Sequence, residues 1–185
     1  MTPLPFDLKL TNLHDANLLI QQQWPTKTIS LVNTLDDLIE TGDHESIKFV
    51  VDNSTLPGIS RSVLSLKNIS TLLNFAQGIS TSDRLLICST NGISRSTAVA
   101  IGVLCLHGLT PSQAFHAVMA LVPNFDPNQW ILYQLGINSG LKLALLDEYK
   151  KWSAHKKHWV NSIPPLYSRE LERNAREFFD HYNGI

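Results

Sequence analysis

Along this chain, short alternating apolar runs give way repeatedly to longer stripes with helical spacing. Thr28-Ile-Ser-Leu-Val32 alternates and is β-branched, which predicts a strand. Leu35 to Ile39 predicts a short helical turn, and the polar loop Thr41-Gly-Asp-His-Glu45 follows it. Ile47-Lys-Phe-Val-Val51 predicts a second strand, cut off by Asp52-Asn-Ser-Thr and by Pro57-Gly58. Between Val63 and Ala76, apolar residues fall three and four apart (Leu66, Ile69, Leu72, Leu73, Ala76), a helix that stops near Gly78. Leu85-Leu-Ile-Cys88 is apolar throughout, as strands buried on both faces are.

Downstream, Thr97-Ala-Val-Ala-Ile-Gly-Val-Leu-Cys-Leu106 is apolar on nearly every face, which predicts a helix in the middle of a domain. Thr110 is an N-cap with Pro111 at the first helical position, opening a helix over Ser112 to Leu121. A further helix is expected from about Pro127-Asn128 to Leu135, and a charged one from Leu141 to Trp159. Pro164-Pro165 breaks the pattern, and Ser168 caps a last helix that ends at Asn183-Gly184. Strands alternating with helices define an α/β class. The expected architecture is a small central, mostly parallel sheet flanked by helices. It divides into a domain over 1–146 and a helical C-terminal extension over 147–185.

Composition narrows the class. The 185 residues are 43% apolar, enough for one sizeable core, and 15 Lys+Arg against 16 Asp+Glu leave a formal charge of −1. That balance argues against a broad electrostatic grip on nucleic acid. Two cysteines, Cys88 and Cys105, exclude a disulfide scaffold or a four-thiolate zinc site, and the seven histidines show no zinc spacing backed by Cys. No metal or cofactor is expected. The N-terminus lacks a signal-peptide pattern and no apolar run is long enough to span a bilayer, so the expectation is a soluble, cytoplasmic protein. Charge is also unevenly placed: between Ser96 and Gly140 the only charged residue is Asp126, which puts the buried centre just after Arg95.

The candidate chemistry sits at that point. Ser89, Thr90, Asn91, Gly92, Ile93, Ser94, Arg95 and Ser96 join a buried strand to a buried helix. Successive N–H groups at such a junction form a concave anion site, and the helix N-terminus adds the positive end of its dipole. Gly92 lets backbone approach a ligand closely. Arg95 offers a planar fork matched to two phosphate oxygens.

Gly92-Ile-Ser-Arg-Ser-Thr97 after Leu85-Leu-Ile resembles the signature loop of the cysteine-dependent protein tyrosine and dual-specificity phosphatases, which reads His-Cys, five residues, then Arg. Gly108-Leu-Thr110 and the helix through Ala114 and Val118 resemble the family's next turn and helix. Pro127-Asn128 with Gln134-Leu135 resembles its Pro-Asn…Gln-Leu segment. Ile47 to Asp52 resembles the strand that leads to its general-acid loop. The likeness spans roughly residues 25–146 and is to small bacterial-type members. It implies a phosphorylated protein or small phosphorylated ligand held by residues 89–96, with a catalytic set of Ser89, Arg95 and Asp52.

The departure falls on the reacting atom. Five residues before Arg95 the nucleophile position holds Ser89, and the family's His position holds Cys88, whose thiol alternation aims away from the loop. A thiol is readily ionised in an anion hole, whereas a serine needs an adjacent base. The family's general acid falls on Asp52 or on Asn53, and an amide cannot donate a proton to a leaving group. Two readings follow: a phosphate-binding protein that is inactive with Ser89, or an active phosphatase held as a Cys-to-Ser trapping variant.

Two further features remain. Gly58-Ile-Ser-Arg-Ser62 repeats five residues of the loop, but Pro57 removes a donor that a cradle needs, so Arg61 is read as a loop residue. The basic run of Lys150, Lys151, Lys156 and Lys157 around Trp152 and Trp159 belongs to a segment, 147–185, suited to partner docking.

Overall fold

A computed structural model describes residues 3–53 and 64–159. The apolar runs form four strands: β1 (Asp7–Thr11), β2 (Lys27–Val32), β3 (Glu45–Val50) and β4 (Arg84–Ser89). They make one parallel sheet in the order β1-β4-β2-β3. Among the described residues six α-helices accompany them: α1 (Leu13–Gln21), α2 (Leu66–Gln77), α3 (Arg95–Leu106), α4 (Pro111–Leu121), α5 (Gln129–Ser139) and α6 (Lys142–Trp159). The α/β class with a small parallel sheet is therefore as the sequence predicts.

The pleat sorts side chains between two unequal faces. Leu85 and Ile87 of β4, Ile29 and Leu31 of β2 and Leu8 of β1 enter the main core with α2 to α5. Leu86 and Cys88 point the other way, onto Ala16 of α1 and Ile39. At the centre of the main core lies α3, buried along every residue but its last. Fully buried Ile101 and Leu104 each contribute on the order of 1.5–3 kcal/mol. Gly102 lets α5 approach, because a Cβ there would lie 2.6 Å from Leu135 Cδ1. Leu145, Tyr149 and Trp152 bring α6 onto the same core.

Two elements had no counterpart in the sequence pattern. β1 alternates over only five residues, and α1 shows one buried residue, Ala16. Neither is long or regular enough to stand out from its flanks. The repeat around Arg61 and the last predicted helix lie outside the described residues. No described helix is long and apolar enough to cross a membrane.

Both thiols are embedded. Burial pushes Cys88 up to about 11 and Cys105 up to about 12. An aromatic disulfide reagent at about pH 8, where a free thiol is partly ionised, should label neither in the native protein and both after unfolding. Rapid native labelling would contradict this packing.

Candidate functional site

The segment after β4 occupies the carboxyl edge of the sheet at one of its two central strands. Ligands bind at this edge in open parallel sheets. Ser89 ends β4 on the same face as Leu85 and Ile87, toward α3, while Cys88 faces α1. Ser89 is buried; its Oγ donates to Ser96 Oγ at 3.1 Å and accepts from the Gly92 N–H at 3.2 Å. Among the described residues these are its hydrogen-bond partners, and neither is a base. His44, His107 and His116 pair elsewhere, with Thr28 Oγ1, the Ala76 carbonyl and the Ser112 carbonyl.

Gly92 fixes the shape of the loop. Its φ of +70° is left-handed, and a Cβ would lie 2.6 Å from Asn12 N and from the Thr11 carbonyl carbon. The β1–α1 junction therefore packs directly beneath the loop, a role for residues 11–12 that no local pattern announced. Further along, Thr97 Oγ1 donates to the Ile93 and Ser94 carbonyls at 2.8 and 2.9 Å. The Asp126 N–H donates to the Ile93 carbonyl at 2.7 Å, and the Asn128 N–H to the Ser94 carbonyl at 3.2 Å. These bonds tie the carbonyls of the loop to the first turn of α3 and to the segment before α5. Ser94 sits at the N-cap of α3 without a side-chain hydrogen bond to the first turn, so the donors there need another partner.

Arg95 is 4% exposed despite its charge. Its guanidinium donates to the Val51 carbonyl at the end of β3, and to Thr90 Oγ1 at 2.8 Å. Burial lowers its pKa, and the negative charges of Asp52 and Asp37 oppose that shift. Asp52 is exposed and follows directly on the carbonyl that Arg95 holds. Asn53 beside it accepts from the Asn128 amide at its own carbonyl (3.3 Å) and at Oδ1 (3.2 Å). Asn128 Oδ1 meanwhile caps α5 by accepting from the Ile131 N–H at 3.0 Å. One asparagine thus joins the loop, the segment after β3 and the start of α5. Its motif is visible in sequence; this three-way bridge is not. Asp37 is likewise absent from the sequence-based set, its only local signal being the Thr34–Asp37 capping box.

The geometry accordingly gathers Ser89, Arg95 and Asp52 at one edge, with residues 90–94 between. What it offers is the N-terminal end of α3, a buried guanidinium and a buried hydroxyl at the end of β4. Among the described residues, no group of three or more His, Cys, Asp or Glu could hold a metal ion.

No protein-family model and no curated protein matches the sequence. Solved structures do match the fold. A point variant of human DUSP28 superposes with a TM-score of 0.58 at 20% identity, over 80% of this chain and 99% of that one. The human tyrosine phosphatase-like serine/threonine/tyrosine-interacting protein gives 0.56 at 18%, over 74% and 93%. A mouse putative dual specificity phosphatase, complexed with zinc tungstate, gives 0.55 at 19%, over 80% and 92%. The fold is that of the dual-specificity phosphatases.

Gly92→Ala should cost about 1–2 kcal/mol from left-handed backbone alone, and more from the clash with residues 11–12. Asn128→Ala should cost about 1 kcal/mol through the lost cap. Urea unfolding measures both, and wild-type stability for Gly92→Ala would contradict the close approach.

Proposed function

We propose that residues 89–96 bind a phosphate monoester on a phosphorylated protein or small ligand, and that Ser89 leaves the protein unable to hydrolyse it. The carrying observation is Ser89 itself: a buried hydroxyl at the start of the loop, hydrogen-bonded among the described residues to a second hydroxyl and to an amide, neither of which is a base. The cradle has its chemistry without a nucleophile. Loop N–H groups, the α3 dipole and Arg95 all favour a dianion. Attack on phosphorus, by contrast, needs an anionic nucleophile at that floor, and a serine without a base does not become one. Tungstate, a tetrahedral oxyanion, in the mouse relative of the same fold is consistent with an oxyanion site.

The state of position 88 favours this reading over a trapping variant. Replacing a nucleophilic sulfur by oxygen changes one atom and leaves its neighbours alone. Here the residue before it also departs from the family's His, and the Cys88 side chain is buried on the opposite face of β4. The Asn53 position departs a third time. These changes fit a protein that keeps recognition without catalysis.

The test pairs binding with turnover. The protein should bind a phosphotyrosine peptide and release no phenolate from an aryl phosphate. Arg95→Ala should weaken binding about tenfold to a hundredfold, the scale of about 1.5–3 kcal/mol for hydrogen bonds to a charged group. Ser89→Cys should gain a reactive, low-pKa thiol without sustained turnover, because Cys88 and Asn53 remain. Multiple turnovers by the Ser89 protein would overturn the non-catalytic reading, and unchanged affinity in Arg95→Ala would overturn the cradle. Full activity in Ser89→Cys would instead support the trapping variant.

A further inference from the structure

The second face of the sheet, covered by α1 and by the segment after β2, holds a cleft of about 540 Å³. Leu13, Ile20, Leu38 and Ile39 supply its apolar surface. Asp36, Asp37 and Glu40 line it with three carboxylates; the Lys48 ammonium donates to the Ile39 carbonyl at 2.6 Å, and among the described residues neither Asp36 nor Glu40 forms an ion pair. Two large apolar side chains stand in solvent on the same two elements, Leu18 at 46% exposed and Leu35 at 72%.

Two observations tie this cleft to the loop. Leu13 follows Asn12, whose backbone nitrogen lies against Gly92. At its other wall, Asp37 is near enough to Arg95 for its charge to act on the guanidinium. The cleft and the cradle are therefore neighbours at the carboxyl edge of the sheet, one acidic and apolar, the other built for an anion.

We propose that this cleft seats the peptide beside the phosphorylated residue, selecting basic and apolar side chains there; the assignment rests on the phosphate reading above. Charge complementarity decides the class of ligand. An anionic lipid headgroup or a polyphosphate would bring its remaining negative charges up to Asp36, Asp37 and Glu40. A peptide can instead present Lys or Arg to those carboxylates and lay an apolar neighbour on Leu13 and Ile20. Exposed ion pairs of this kind are individually weak, so the expected selectivity from two of them is about threefold to tenfold.

Calorimetry on the full chain separates the possibilities with four probes: inorganic phosphate, a soluble inositol polyphosphate, and a phosphotyrosine peptide flanked either by Lys and Leu or by Glu. The Lys/Leu peptide should bind about threefold to tenfold more tightly than the Glu peptide, with a preference that shrinks as salt rises. In the Asp36→Asn/Glu40→Gln double variant that preference should disappear while affinity for inorganic phosphate stays unchanged. Equal affinity of both peptides for the wild type, with phosphate bound, overturns the cleft assignment alone. Tighter binding of the inositol polyphosphate than of the Lys/Leu peptide overturns the choice of a peptide. Failure of all four probes to bind overturns the phosphate reading and the cleft with it.

Discussion

The guanidinium of Arg95 donates to the Val51 carbonyl and to Thr90 Oγ1, so one buried side chain holds the end of β3 against the loop after β4. Burying an unpaired charge is costly, and here the two hydrogen bonds and the fields of Asp52 and Asp37 offset part of that cost. An anion in the loop would add a further partner. Everything around Arg95 serves to keep it in place: Asn128 anchors Asn53 and the loop carbonyls, and the Thr11–Asn12 backbone fills the space that a side chain at Gly92 would need. The proposed recognition of an anion depends on this frame. The identity of the atom at the floor does not enter it.

On the proposed reading, that separation lets a phosphatase fold bind an anion without the chemistry. Backbone donors and a guanidinium act on the charge of a phosphate whatever lies beneath it. Bond breaking adds a second requirement, an ionised nucleophile, which sulfur meets in an anion hole and oxygen does not. Ser89 instead spends its proton on Ser96 Oγ and receives one hydrogen bond from Gly92. Cys88, one residue earlier, is carried by the strand pleat onto α1, where burial pushes its pKa up to about 11. Its thiol therefore faces away from the loop that Ser89 opens.

The central elements were legible because their patterns are long or extreme. The apolar helix after Arg95, the fully apolar β4 and the capped starts at Thr110 and Asn128 each carry a signal within their own residues. β1 and α1 escaped because each is short, and their burial comes from contacts with β4, more than sixty residues away in the chain. At the site, the loop and Arg95 stand out from their spacing between a buried strand and a buried helix, whereas Ser89 stands out only against the phosphatase signature that the loop resembles. The bridging of Asn128 to Asn53, the packing of residues 11–12 under Gly92 and the approach of Asp37 to Arg95 could not. Each joins distant segments through tertiary geometry, which no local periodicity encodes.

The central claim is that residues 89–96 form an oxyanion site above an unreactive hydroxyl. A crystal of the native chain soaked in tungstate tests it directly. The account predicts the oxyanion within hydrogen-bond distance of the loop N–H groups and of Arg95, with Ser89 Oγ beneath it and unmodified. An empty loop under conditions that saturate other oxyanion sites, or tungstate held elsewhere with Arg95 still bound only to Val51 and Thr90, would contradict it.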